Sequence, residues 1–181
     1  AARICPEQAS LLQPLDSGLK YTQAITVAFG LRKRPDCRSF LVQMPRVEDR
    51  EVALVFLDHN KSPDRAPAGQ GLIDCHWSHE GASEMMDRPD SEILSRSEAT
   101  VLRLFPELRG QLLFGHVTRW RHALPLTAVG AYRKIGQFNA SMPLDSPIQF
   151  AADYMSAAGQ NTAVELGTRA AERLLKRRAT P

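Results

Sequence analysis

Asp153 and the small-residue loop after it hold the most specific chemical signal in this sequence. The run Phe150-Ala151-Ala152-Asp153-Tyr154 reads as the end of an apolar strand, residues 147–152, that stops at an acid. Ser, Ala and Gly then let the backbone turn tightly, and Asn161, a good N-cap type, opens a helix over residues 161–177. The first turn of a helix presents unpaired N–H groups at the positive end of the dipole, so Gln160, Asn161, Thr162 and Ala163 suit an anion or an electron-rich carbonyl. Asp153 suits hydroxyl donors; its plainer role is that of a turn-forming acid after a strand. Gly167, Ala170 and Ala171 keep the following turns slim, so the helix can lie close to a sheet or a ligand.

Other reactive side chains are scattered. Cys75-His76-Trp77-Ser78-His79-Glu80 suggests a metal site. A strand of period two would put Cys75, Trp77 and His79 on one face, which offers two ligands where structural zinc takes four. No metal is therefore expected. His59, His116 and His122 stand alone, and no GxSxG elbow supports a hydrolase. Trp120 and Tyr132 could line a cofactor or substrate cavity, although aromatics in apolar contexts more often fill a core.

These residues need a scaffold, and the pattern upstream is one of strands. Tyr21 to Leu31 alternates, with Ala24, Thr26 and Ala28 on one side and Ile25, Val27 and Phe29 on the other. Arg38 to Met44, Glu51 to Leu57, Gly71 to Trp77 and Leu112 to Arg121 read as further strands. A helix begins at Pro89-Asp90-Ser91-Glu92 and stops before Pro106. Runs of strands at this spacing predict an antiparallel or mixed sheet with helices on one face, in an α+β chain.

Composition sets the bounds. With 181 residues and 43% hydrophobic content, the chain can bury a real core. The net charge of +3 comes largely from Lys176-Arg177-Arg178, which reads as a solvated helix end and not as a nucleic-acid surface. No apolar run approaches the roughly 18 residues of a membrane span. Cys5, Cys37 and Cys75 cannot all pair within one chain, which favours a reducing cytoplasm.

The strand, Ala152-Asp153, loop and helix order resembles the C-terminal flavin-contacting segment of the FAD-dependent amine oxidase, protoporphyrinogen oxidase and phytoene desaturase superfamily. Leu104-Phe105-Pro106-Glu107-Leu108, then Arg119-Trp120-Arg121-His122-Ala123-Leu124-Pro125, then Gly130-Ala131-Tyr132 follow the order found towards the end of that family's substrate domain, so the likeness runs from about Tyr21 to Leu175. It implies a substrate-binding domain over residues 21–121 and a return over 122–181 that completes an FAD-binding Rossmann-like domain. It also implies FAD bound by Ala152, Asp153, Gln160, Asn161, Thr162 and Ala163, and a small-molecule substrate near Trp120 and Tyr132. Ala152 and Thr162 stand where the family usually has Gly. Some amine oxidases use a lysine near the flavin, but Lys20, Lys33 and Lys61 match no such motif. The family's GxGxxG turn occurs nowhere in these residues. Residues 1–20 therefore read as a connection from a missing dinucleotide-binding half, which is the expected partner, in the same polypeptide or in a separate subunit. The expected activity is oxidation of C–N or C–C bonds in an amine or a hydrophobic substrate. The alternative is a partner subunit that keeps the fold and has lost the flavin.

Overall fold

Residues Ala24–Leu31 carry large apolar side chains at every second position, Ile25, Val27, Phe29 and Leu31, with Ala24, Thr26, Ala28 and Gly30 between them. Side chains along a strand alternate between faces, so one face of this strand must be buried and the other stays shallow. The computed structural model describes residues 20–143, 146–156 and 158–179. In it Ile25, Val27 and Leu31 are wholly shielded from solvent and Phe29 nearly so.

The strands in chain order are β1 (Lys20–Tyr21), β2 (Ala24–Leu31), β3 (Leu41–Gln43), β4 (Val52–Leu57), β5 (Gly71–Trp77), β6 (Leu112–Trp120) and β7 (Pro125–Leu126). The helices are α1 (Asp58–Lys61), α2 (His79–Met85), α3 (Asp90–Leu104), α4 (Ala131–Ser141) and α5 (Gln160–Ala179). Two compact units result, one formed by Thr22–Ala123 and the other by residues 20–21 with the described residues from 124 onward.

In the first unit, five strands form one antiparallel sheet in the order β3-β4-β5-β2-β6. Register sets Val27 opposite Cys75 and Phe29 opposite Ile73, and Val55 lies opposite Cys75 on the next strand. These side chains build a single core with Ala82 and Met85 of α2 and Ile93 and Val101 of α3. Both helices therefore cover the same face of the sheet. Ser78 caps α2 by accepting the Gly81 N–H at 3.0 Å. Pro89 and Pro106 bracket α3, as proline does where a helix must begin or end. A polar pair inside is matched: Trp77 Nε1–H donates to Ser97 Oγ at 2.9 Å.

In the second unit, β1 pairs with β7 in a two-stranded antiparallel ladder. A small core of Ile135, Phe138 and Met155 gathers Met142, Phe150, Ala152, Tyr154 and Leu166. Phe138 and Phe150 meet edge to face at 5.5 Å.

Three sequence expectations need correction. Residues 147–152 are not a strand: the backbone at Ala152 is extended, but among the described residues no neighbour forms a ladder with it, and a strand exists only as part of one. Asn161 is not the cap of α5, which begins at Gln160 with the Gly159 carbonyl accepting the Ala163 N–H at 3.0 Å. His79 does not share a face with Cys75 and Trp77, because β5 ends at Trp77 and His79 heads α2. Cys5 and nearly all of the expected connection, residues 1–19, lie outside the described residues.

One carboxylate ties the start of β4 to α3. Asp49 Oδ1 accepts the N–H groups of Glu51 and Val52 at 2.9 Å, and Oδ2 accepts Thr100 Oγ1–H and Arg103 at 2.7 Å. Burial pushes the Asp49 acid up, yet these donors together outweigh it and hold it below the ordinary carboxylate range. A depressed acid adds stability that is complete above the unfolded value and is lost as pH falls through the folded one. Urea midpoints are therefore expected to drop below about pH 4, and less steeply in Asp49→Asn. At neutral pH that variant is expected to be less stable by about 1–3 kcal/mol. The same acid-side slope in both proteins would contradict this.

Candidate functional site

The shallow face of the sheet is where side chains are left to do chemistry. Across β2 and β6, Ala24 stands opposite Trp120, Thr26 opposite Thr118, Ala28 opposite His116 and Gly30 opposite Phe114. A floor of small residues is thus flanked by a taller row on β6, and Trp120 and Phe114 are each more than half exposed. Phe114 leans over the bare backbone of Gly30, where a side-chain carbon would run into its ring. That closes one end of the trough.

On the other side of the floor, β5 contributes Leu72, Asp74 and His76, and β4 contributes Leu54 and Phe56. His76 Nε2 lies 3.0 Å from Asp74 Oδ2. The His76 ring meets Phe56 edge to face at 4.7 Å. Lys61 Nζ sits 3.9 Å above the Phe56 ring and pairs with Asp58 at 2.6 Å. The result is an acid–imidazole pair beside an aromatic ring, on a face otherwise built of small and apolar groups.

The neighbouring reactive residues have structural roles. Cys75 points into the core, where burial pushes its thiol up and keeps it protonated. His59 is buried, and its Nδ1 accepts the Leu72 N–H at 3.1 Å. Burial pushes the His59 imidazolium down, with help from Arg34 and against Leu72 and Asp58, so it braces the strand as a neutral ring. Arg119 faces the helices, donating to the Met86 and Arg88 carbonyls at 2.9 and 2.7 Å and pairing with Asp90 at 2.6 Å.

The second unit holds the residues expected to contact a cofactor. Ala152 and Asp153 form a single helical turn with Tyr154 and Met155, and α5 packs against that turn. The Ala152 methyl joins the small core, and its extended backbone is open to any residue, so glycine is not required there. Tyr21 is close enough to feel Asp153: burial first, and the carboxylate second, push its phenol up. The first turn of α5 contains no acidic side chain, so nothing there neutralises the dipole. Gln160, Asn161 and Ala163 are exposed and Thr162 half-buried, while Leu166 faces the core one turn on. No described atom crowds Gly159 or Gly167. An open helix start beside a carboxylate turn is a donor set that fits a group carrying both electron-rich carbonyls and hydroxyls.

Trp120 lies in the first unit and Tyr132 on α4 of the second, each more than half exposed. Sequence reasoning missed the Asp74–His76 pair. The signal was the i, i+2 spacing of an acid and a histidine on a strand, which places both on one face.

Residues 4–175 match the model of a family described as flavin containing amine oxidoreductase. The chain belongs to that family. A comparison with curated proteins finds no match. Among solved structures, this chain resembles a protein of Exiguobacterium sp. 255-15 provisionally named a protoporphyrinogen oxidase, with TM-score 0.69 and 17% identity. That match covers 94% of this chain and 39% of the other, so the chain spans about two fifths of the length of that structure. It also resembles reduced UDP-galactopyranose mutase, with TM-score 0.54 and 16% identity over 69% of this chain and 27% of the other. At these identities the likeness is one of fold.

The trough gives a testable contact. Gly30→Ala is expected to destabilise the protein by about 1–3 kcal/mol by displacing the Phe114 ring. Adding Phe114→Ala should recover most of that loss, because it removes the obstacle. Denaturant melts of both single variants and the double variant measure the coupling, and simple additivity would contradict the contact.

Proposed function

We propose that this chain supplies the substrate-binding part and the C-terminal cofactor-contacting part of an FAD-dependent oxidoreductase acting on C–N or C–C bonds of an amine or a hydrophobic substrate. The observation that carries this reading is the open, acid-free start of α5 packed against the Asp153 turn, in a chain matching a flavin family over residues 4–175. Asp153 would accept hydrogen bonds from hydroxyls of the cofactor chain, and Ala152 would keep the approach to them narrow. Backbone N–H groups of Gln160, Asn161 and Thr162 would hold the electron-rich edge of the ring, and the small Ala163 side chain would leave room for it. When bound, the flavin accepts a hydride from the substrate. The small floor of β2 and the aromatic row on β6, Trp120 included, would receive a flat apolar body; Tyr132, on α4 of the second unit, is a separate candidate for a substrate contact.

A dinucleotide-binding half, in the same polypeptide or in a partner subunit, would supply the GxGxxG turn that this sequence does not contain and would complete a Rossmann-like domain. The packing role of the Ala152 methyl removes one reason to read its departure from glycine as loss of the cofactor. Free Cys37 and Cys75 accord with a cytoplasmic location, and among the described residues no helix is long and apolar enough to cross a membrane.

Flavin titrations of the complete protein test the cofactor role. Asp153→Ala is expected to weaken binding by about 1.5–3 kcal/mol through loss of a charged hydrogen bond. A bulky Ala163→Phe should weaken it as well, whereas exposed Glu172→Gln should not. Unchanged affinity in both the Asp153 and the Ala163 variants would remove this segment from the cofactor site.

A further inference from the structure

We propose that Asp74 and His76 form a proton-accepting pair that receives the ammonium group of an amine on the shallow face of the sheet. This rests on the amine-oxidising reading above and adds to it the group that handles the substrate proton. Asp74 and His76 are two residues apart on β5, so both stand on the face opposite the helices. An ionised carboxylate only accepts hydrogen bonds, so with Asp74 ionised and the ring neutral the 3.0 Å contact takes His76 Nε2 as donor and the lone pair lies on Nδ1. Among the described residues Nδ1 has no partner, and the imidazole is 38% exposed, so that nitrogen is reachable. Phe56, packed edge to face at 4.7 Å, restrains the plane of the ring.

Asp74 is only half engaged. Its Oδ1 is buried and has no hydrogen-bond partner among the described residues. Buried polar atoms are nearly always satisfied, and an unsatisfied oxygen on a carboxylate is unfavourable unless a positive charge forms beside it. A proton arriving at Nδ1 turns His76 into an imidazolium and provides that charge.

The step is a proton transfer with no change in electron count. The ammonium nitrogen gives one proton to His76 Nδ1, the N–H bond breaks, and its electron pair stays on nitrogen. The products are a neutral amine and an imidazolium bonded to Asp74. Only the neutral amine has the lone pair that can stabilise the carbon as it loses hydride. Other charged or titratable groups near this face are Lys61, held by Asp58 at 2.6 Å, and His116, across β2 on β6. The small residues of β2 leave room for an apolar substituent between His76 and the β6 row.

Nitrogen-15 NMR of histidine-labelled, intact flavoprotein with benzylamine as the probe tests the proposal. The free protein is expected to show His76 as the Nε2–H tautomer, and benzylamine should move its Nδ1 resonance to the imidazolium range. His76→Phe should bind benzylamine about tenfold more weakly or worse, with melting temperature and flavin content unchanged. Asp74→Asn should keep the ring and lose the tautomer preference. An Nδ1–H tautomer in the free protein, an Nδ1 signal unmoved by benzylamine, or wild-type affinity in His76→Phe would each overturn it. Flavin content of the same samples is read from their absorbance. A protein without flavin fails the earlier reading, while a flavin-bearing protein with an unmoved histidine signal fails this one.

Discussion

The alternation along β2 is the constraint on which the larger unit depends. Ile25, Val27, Phe29 and Leu31 must be buried, and with the inward side chains of β4 and β5 they bring α2 and α3 onto one side of the sheet. Fully burying an aliphatic side chain of this size is worth about 1.5–3 kcal/mol, so the choice of face is decisive. The same alternation leaves Ala24, Thr26, Ala28 and Gly30 on the other face, where nothing larger than a threonine rises from this strand. One strand thereby sets both the core and the trough.

Polar groups on the two faces are treated differently. Inside, Trp77 and Ser97 satisfy each other, and Asp49 is fully engaged by four donors. On the shallow face, His76 keeps an open nitrogen and Asp74 a buried oxygen with no described partner. Networks that serve stability tend to be completed. Buried His59 also leaves its Nε2 without a described partner, so what sets the Asp74–His76 pair apart is that its imidazole is open to solvent. In the second unit, Leu166 and Ala152 fix α5 and the Asp153 turn to a common small core, while Gln160, Asn161 and Ala163 in the first turn of the helix are exposed.

Much of the sheet was legible because its limits are written in residues with strong local preferences. Gly71–Trp77 was read to the residue, bounded by a glycine turn and by the Ser78 cap, and α3 lies between two prolines. The buried face of β2 followed from its alternation. Helix α2 was missed because His79 was weighed only as a possible companion of Cys75 and Trp77 on one strand face, whereas the Ser78 hydroxyl bound to Gly81 starts a new element. Helix α4 was missed because Gly130, with φ of 85°, marks a turn and gives no sign of the helix that follows. The strand expected at 147–152 depended on partners that local sequence does not name. The Asp74–His76 pair escaped notice because attention went to Cys75 and Trp77, which point to the opposite face.

The most direct measurement is the visible absorbance of the protein purified from cells that make it, followed by release and quantification of bound small molecules. Flavin bands and stoichiometric FAD on release are the predicted result. A colourless, well-folded protein that releases no flavin would contradict the proposed role.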